Sequence, residues 1–198
     1  HDDESIQSVD INDNKSEYSE SVMSIHLHAG ANLVSINVES EDTDISSVLS
    51  SLGNNITGAI GEGVAANNDP ELGWMGSLDE IESSCGAYWL IVNEEDILLT
   101  NGYPTDRTIP CELHAGANLI GYPYRYPISI EEAIPGDIGC DIIGEGVATS
   151  FDGSEWVGSL TELEGSYGYW FICEEATDIT FNGCDENCDE LTRSTQPA

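Results

Sequence analysis

The heptapeptide LHAGANL occurs twice in this chain of 198 residues, at positions 27–33 and 113–119. Four further segments recur in the same order: IGEGVA at 60–65 and 143–148, W(M/V)GSL at 74–78 and 156–160, AYWLIV and GYWFIC at 87–92 and 168–173, and NG at 101–102 and 182–183. The offset between copies shrinks along the chain from 86 to 81 residues. Ordered repeats separated by small deletions are typical of a duplicated domain, with the deletions in loops.

The repeats divide the chain into four parts. We predict an acidic N-terminal arm at 1–24, repeat module one at 25–109, repeat module two at 110–184, and a C-terminal tail at 185–198. A module of this size buries a modest core. The arm and the tail have no internal copy, and the polar, Ser-rich composition of the arm does not support independent folding. The arm or the tail needs a surface to lie on, either its own modules or another copy of the chain, and we expect contacts with other copies.

The local patterns predict a mainly β protein, an α+β fold rich in strands, with two tandem homologous domains. Alternating apolar residues lie on both sides of the glycine in each LHAGANL copy, as in two strands that meet at a kink. One short helix is expected in each module, capped by Asp44 or Ser129 and ended by Gly53 or Pro135. Asn-Gly pairs at the end of each module indicate turns.

The charge of the chain is strongly one-sided. It has 38 Asp and Glu residues against 4 Lys and Arg, a formal net charge of −34. Such a chain cannot form a basic patch, so a nucleic-acid partner is not expected. No apolar run reaches the length of a membrane span, so membrane insertion is not expected either. A dense negative surface suits a saline, cation-rich exterior, where counterions screen it.

The number of cysteines predicts disulfides and an oxidising compartment. The six are Cys85, Cys111, Cys140, Cys173, Cys184 and Cys188. Module one has a single cysteine, Cys85, so full oxidation requires Cys85 to bond outside its own module. A bond from Cys111 to Cys173 or Cys184 would join the first and last strands of module two, and Cys188 could reach Cys85. The spacing of Cys184 and Cys188 also fits half of a zinc site, but no second close pair follows.

We expect no cofactor, although two acidic segments could bind calcium. The segments 39–44 and 185–190 are rich in carboxylates, although neither matches an EF-hand loop. His26 and His28 alternate on a predicted strand and could form a metal pair. The residue equivalent to His26 in module two is Glu112, so the histidine pair is not repeated, which weakens that interpretation.

We expect no enzymatic activity. His28 and His114 occupy equivalent positions, as do Glu62 and Glu145. A duplicated structural hydrogen bond explains each pair more simply than a duplicated active site, since acid–base catalysis needs groups that converge in one cleft. The GEG segments indicate a tight turn whose carboxylate ties down a loop.

The four tryptophans also form equivalent pairs, and we predict that they pack in the interior. The alternative is a sugar-binding platform. The residues are Trp74, Trp89, Trp156 and Trp170.

The ordered set LHAGANL, IGEGVA, WxGSL, GYW and NG resembles a module repeated in virion proteins of marine phages and in secreted surface proteins of marine bacteria. It is similar, more loosely, to GWNLISLP…GYWV modules of bacterial extracellular proteins. The resemblance covers about residues 25–183. It implies a non-catalytic, β-rich building block of a virion or surface assembly.

Two classes of function follow. The first is a structural subunit of an extracellular or virion surface assembly: a filament, a fibre or a decoration protein. The alternative is an adhesion module that binds surface glycans or a receptor. Self-assembly predicts contacts through the arm or tail, whereas a lectin predicts an exposed aromatic residue in a cleft.

Overall fold

The computed structural model describes residues 20–134 and 136–183. Strands make up 51% of the structure and helices 9%, which confirms the mainly β fold. The arm up to residue 19 and the tail from residue 184 lie outside the described residues. Strand β1 starts at Ser21, so residues 21–24, which the sequence analysis assigned to the arm, belong to the sheet of module one.

Module one contains two antiparallel sheets, in the strand orders β1-β8-β3 and β2-β7-β4-β5-β6. Between β3 and β4 lie the short helix α1, Ile45–Val48, and a 3-10 helix, Ser50–Asn55. The strands are β1 Ser21–Leu27, β2 Gly30–Ser35, β3 Val38–Glu39, β4 Ile56–Gly61, β5 Val64–Asp69, β6 Gly73–Gly76, β7 Ala87–Val92 and β8 Asp96–Pro104.

Module two repeats this plan in shorter form. Its five-stranded sheet has the order β10-β16-β12-β13-β14, and β9-β17 and β11-β15 form two pairs. The elements are β9 Cys111–Leu113, β10 Gly116–Gly121, β11 Ile128–Ser129, α2 Ile130–Ala133, β12 Cys140–Ile143, β13 Ala148–Phe151, β14 Trp156–Gly158, β15 Glu162–Leu163, β16 Gly168–Cys173 and β17 Thr177–Ile179.

The expected helices are present and capped as predicted. Asp44 Oδ1 accepts a hydrogen bond of 2.8 Å from Ser46 N at the start of α1. Ser129 Oγ accepts one of 3.3 Å from Glu132 N at the start of α2. Capping side chains of this kind satisfy amide groups that have no partner within the helix. Each helix spans one turn and packs its apolar residues on the core of its own module.

Each module has its own hydrophobic core between its sheets. In β1 the alternating residues Met23, Ile25 and Leu27 are buried, and the residues between them are exposed. This alternation follows from the two-residue period of a strand with one solvated face. The core of module two is built from the equivalent elements and includes Cys140 and Cys173.

Candidate functional site at the module interface

The repeated LHAGANL segment forms the kink that passes the chain from one sheet to the other. Gly30 has φ +103° and Gly116 has φ +104°, a backbone conformation that favours glycine. The buried side chain of Asn32 closes the loop, because its Oδ1 accepts from His28 N at 2.8 Å and its Nδ2 donates to His28 O at 2.9 Å. Asn118 makes the same two bonds with His114, at 2.7 and 2.9 Å. The small-residue kink expected from the sequence is therefore present in both modules.

The GEG segments form the tight turns of the hairpins β4–β5 and β12–β13. Gly63 and Gly146 take φ values of +70° and +75° at these turns. Each turn directs the carboxylate of its glutamate, Glu62 or Glu145, away from its own module. The sequence analysis predicted a loop-binding carboxylate, but it could not identify the loop.

Each glutamate binds the LHAGANL loop of the opposite module. Glu62 Oε1 lies 2.7 Å from His114 Nε2, and Glu62 Oε2 accepts from Leu119 N at 2.7 Å. Glu145 Oε1 lies 2.7 Å from His28 Nε2, and Glu145 Oε2 accepts from Leu33 N at 3.2 Å. The two sets of contacts are the same interaction made in opposite directions. The modules thus face one another like the subunits of a twofold homodimer.

Both ring nitrogens of each histidine face hydrogen-bond acceptors. His28 Nδ1 lies 2.9 Å from Ala29 O, and His114 Nδ1 lies 2.8 Å from Ala115 O. A neutral imidazole has one donor nitrogen, so only the doubly protonated ring satisfies both acceptors. The carbonyl of the following alanine, and then the opposing glutamate, raise the pKa of each histidine above its ordinary value. Each contact is therefore strongest as an ion pair, although both rings are exposed to solvent.

Backbone and apolar contacts fill the space between the two polar contacts. Ser35 N donates to Ser166 O, and Gly121 N donates to Cys85 O, both at 2.9 Å. These two bonds are again equivalent under the repeat. A third buried cluster, separate from the two module cores, lies here: Leu33, Ala87 and Leu119, with Trp89 and Trp170 packed against it.

Equivalent residues meet each other where the modules touch. A Cβ atom placed on Gly168 would lie 2.6 Å from the Cβ atom of Ala87, its counterpart in module one. A Cβ atom on Gly121 would overlap the side chain of Ser35, which is its own counterpart. Contacts between a residue and its own equivalent are expected on the axis of a twofold interface. The two copies have diverged here so that one member of each pair is glycine.

Two disulfides are present among the described residues. Cys85 bonds Cys111, across the boundary between the modules, as the single cysteine of module one requires. Cys140 bonds Cys173, its direct partner on the neighbouring strand. Of the pairings considered from the sequence, a bond from Cys111 to Cys173 or Cys184 and a bond from Cys188 to Cys85 are both excluded, since Cys85, Cys111 and Cys173 have other partners. Cys184 and Cys188 lie outside the described residues.

The tryptophans divide into two structural pairs. Trp156 is buried, and its Nε1 donates to Ile134 O at 3.1 Å; Trp74 is half-buried against the core of module one. Trp89 and Trp170 are half-buried at the interface between modules. The structure thus places one pair in the module cores and the other beside the interface.

In the 39–44 segment, the carboxylates of Asp42 and Asp44 accept hydrogen bonds from this segment and from the helix that follows it. Asp42 Oδ1 accepts from Asp44 N at 3.1 Å and Asp42 Oδ2 from Ser47 Oγ at 2.6 Å. No cluster of three or more potential ligands for a metal ion occurs within 20–134 and 136–183. His26 faces solvent on β1 opposite Ile97, while His28 binds Glu145, so the two do not converge on one site. The second acidic segment, at 185–190, lies outside the described residues.

A groove of about 640 Å³ lies beside the interface, lined in part by Glu62, Asp79, Glu80, Glu82 and Cys85. It is open and acidic, and Glu62 is already bound to His114 at its edge. The two disulfides indicate an oxidising, extracellular environment. Within the part of the chain that the structure describes, no helix is long and apolar enough to cross a membrane.

Comparison of the chain with protein-family models, with curated proteins and with solved structures finds no match.

Proposed function

We propose that this chain is a non-catalytic structural subunit of an extracellular assembly, such as a filament, a fibre or a virion decoration. The observation that carries this proposal is the reciprocal binding of each GEG glutamate to the opposite LHAGANL loop. The repeated acids and bases, Glu62, Glu145, His28 and His114, hold the modules together. Duplication has thus produced a cross-linked unit with two equivalent halves, which suits a building block.

The environment of the assembly follows from the disulfides and the charge. Disulfides persist outside the reducing cytosol. A chain with net charge −34 repels its own copies unless salt or divalent cations screen that charge. The virion or marine-surface setting is part of the proposal and rests on the resemblance of the repeated motifs.

The N-terminal arm is proposed to link copies. Strand β1 lies at the edge of its sheet, in the order β1-β8-β3, and the arm leads directly into it. An edge strand has unpaired backbone groups that an extended segment from another copy can complete. The proposed mode of assembly is therefore strand addition by the arm.

Negative-stain microscopy and analytical ultracentrifugation of the full chain test this proposal, in 0.05 M and 1 M NaCl. We expect regular particles or filaments from the full chain. Deletion of residues 1–20 is expected to abolish them and leave the circular dichroism of the modules unchanged. A full chain that stays monomeric across concentration and salt would contradict the assembly. Unaltered polymers after the deletion would contradict the role of the arm.

The half-exposed indoles of Trp89 and Trp170 favour a second candidate, an adhesion module for glycans or a receptor. Aromatic faces of this kind stack on sugar rings as well as on aliphatic side chains. A glycan array probed with the full chain and with the double substitution W89A/W170A tests this candidate. Signals that the double substitution removes would favour adhesion over a purely structural role.

A further inference from the structure

An exposed apolar stripe crosses the outer face of each five-stranded sheet. In module one it runs through Trp89, Ile60, Ala65 and Met75, on β7, β4, β5 and β6. Trp89 lies opposite Ile60, and Ile60 lies opposite Ala65. Ile60 is 41% exposed and Met75 is 46% exposed. Outward apolar residues on neighbouring strands form one surface, because alternate residues share a face.

Module two has the same stripe in the same register. Trp170 lies opposite Ile143, and Ile143 opposite Ala148; Val157 takes the place of Met75. Ile143 is 41% exposed and Val157 is 51% exposed. Single exposed apolar residues are ordinary in proteins. Duplication places them at equivalent positions of the two modules, so a partner that binds both modules meets the same kind of apolar surface twice.

The two stripes meet at the interface between modules. Trp89 and Trp170 each pack on the cluster of Leu33, Ala87 and Leu119. We name the two four-residue stripes together the apolar band; the cluster on which their two indoles pack is itself buried. The band is continuous with an interface that already holds two copies of the module, and it shares the approximate twofold symmetry of that interface.

All eight side chains of the two stripes are uncharged. Among the residues beside them, Ile91 and Asn67 are uncharged and Asp141 is acidic, while Glu62 and Glu145 are each paired with a histidine of the opposite module. The chain as a whole has 38 acidic residues. Two such chains repel each other least where their facing surfaces have few carboxylates.

We propose that the apolar band binds the same band of a second copy of this chain. A partner that covers both stripes must present apolar groups twice, related by a twofold axis, and a second copy does so. Burial of eight exposed or half-exposed apolar side chains in each copy would supply the driving force. The inference rests on the proposed function and identifies one of the faces through which its subunits meet.

The test compares the full chain with the double substitution I60D/I143D by sedimentation equilibrium. We expect the wild-type dimer to tighten between 0.05 M and 1 M NaCl, because salt screens the repulsion between acidic surfaces. The substitution should weaken dimerisation at least tenfold, since it places a carboxylate in each stripe. I109D is the matched control, because Ile109 is 53% exposed and lies outside the band.

A second variant, which adds no charge, tests whether misfolding accounts for weaker dimerisation of I60D/I143D. I60S/I143S should also weaken the dimer, but less than I60D/I143D, with an unchanged circular dichroism spectrum. Equal dimerisation of wild type and I60D/I143D would overturn the band as the contact. If particles also persist in that variant, the proposed assembly stands without the band, whereas a wild type that never self-associates contradicts both.

Discussion

The carboxylate of Glu62 lies 2.7 Å from Nε2 of His114, although the two residues are 52 positions apart and belong to different modules. The equivalent pair, Glu145 and His28, makes the same contact in the opposite direction. The repetition of the two motifs therefore corresponds to a pair of equivalent contacts between the modules. Each copy of IGEGVA recognises the other copy of LHAGANL, so the interface closes only when both motifs are present twice.

Removal of one glutamate should loosen the interface. E62A deletes the acceptor of Leu119 N and the partner of His114. We expect the free energy of unfolding to fall by roughly 1–2 kcal/mol, as for a hydrogen bond to a charged group at a partly exposed site. Urea denaturation measures this loss. E174A, which removes an exposed carboxylate from the turn after β16, is the control and should change stability by less than about 0.5 kcal/mol.

The interface should be more stable in mild acid than in mild base. The folded pKa values of His28 and His114 are raised, so their contribution is complete below about pH 6.5, the ordinary pKa of the unfolded side chain. It is lost as pH rises through the higher folded values. Thermal denaturation between pH 5.5 and 8.5 measures the trend.

The double substitution H28Q/H114Q is the control for that measurement. It should flatten the dependence on pH, because it removes the two side chains whose pKa values are raised in the folded state. A wild type whose stability rises from pH 5.5 to 8.5 would contradict charged histidines in the folded state.

Placing alanine at both of the equivalent positions 87 and 168 should destabilise the protein. G168A would place a methyl group 2.6 Å from Ala87 Cβ and 3.0 Å from Leu33 Cδ1. Overpacking of this kind costs about 1–3 kcal/mol. The exchange G168A/A87G moves the methyl group to the other module and should recover most of the loss. Differential scanning calorimetry of the wild type and the two variants tests this, and an exchange no better than G168A alone would argue against direct contact of the two positions.

The two disulfides should stabilise different parts of the protein. They join cysteines 26 and 33 residues apart, and each is expected to contribute about 3–4 kcal/mol to the free energy of unfolding. C85S/C111S should also speed hydrogen exchange at the Gly121 amide, which donates to Cys85 O across the interface. C140A/C173A should leave that exchange rate unchanged and lower the stability of module two. Exchange detected by NMR distinguishes these outcomes.

The buried indole of Trp156 should matter more than its half-exposed counterpart. W156F removes the donor to Ile134 O from the core of module two. Loss of that bond, with the volume lost in a packed core, should cost about 1–3 kcal/mol. W74F, at the equivalent position in module one, should cost less, because Trp74 remains partly exposed. Equal losses for the two would contradict a larger contribution from the buried, hydrogen-bonded indole of Trp156.

The sequence alone determined the features that depend on short stretches of chain. Ordered repeats with shrinking offsets indicated two copies of one fold. Asp44 and Ser129 were identifiable as helix caps, and the AGAN segments as kinks, because capping and glycine conformations involve neighbours within a few residues. The single cysteine of module one required an external partner by count. Hydrogen bonds between near neighbours and a count of the cysteines are sufficient for such inferences.

Only the tertiary structure decided how the two copies face each other. A repeat shows which residues are equivalent, but a carboxylate at Glu62 has the same local surroundings whether it binds its own loop or that of the other module. The choice depends on docking of whole sheets, with Leu33, Ala87 and Leu119 buried between them. For the same reason Gly121 and Gly168 did not stand out in the sequence. They are glycines because each meets its own counterpart near an axis that exists only once both modules are folded.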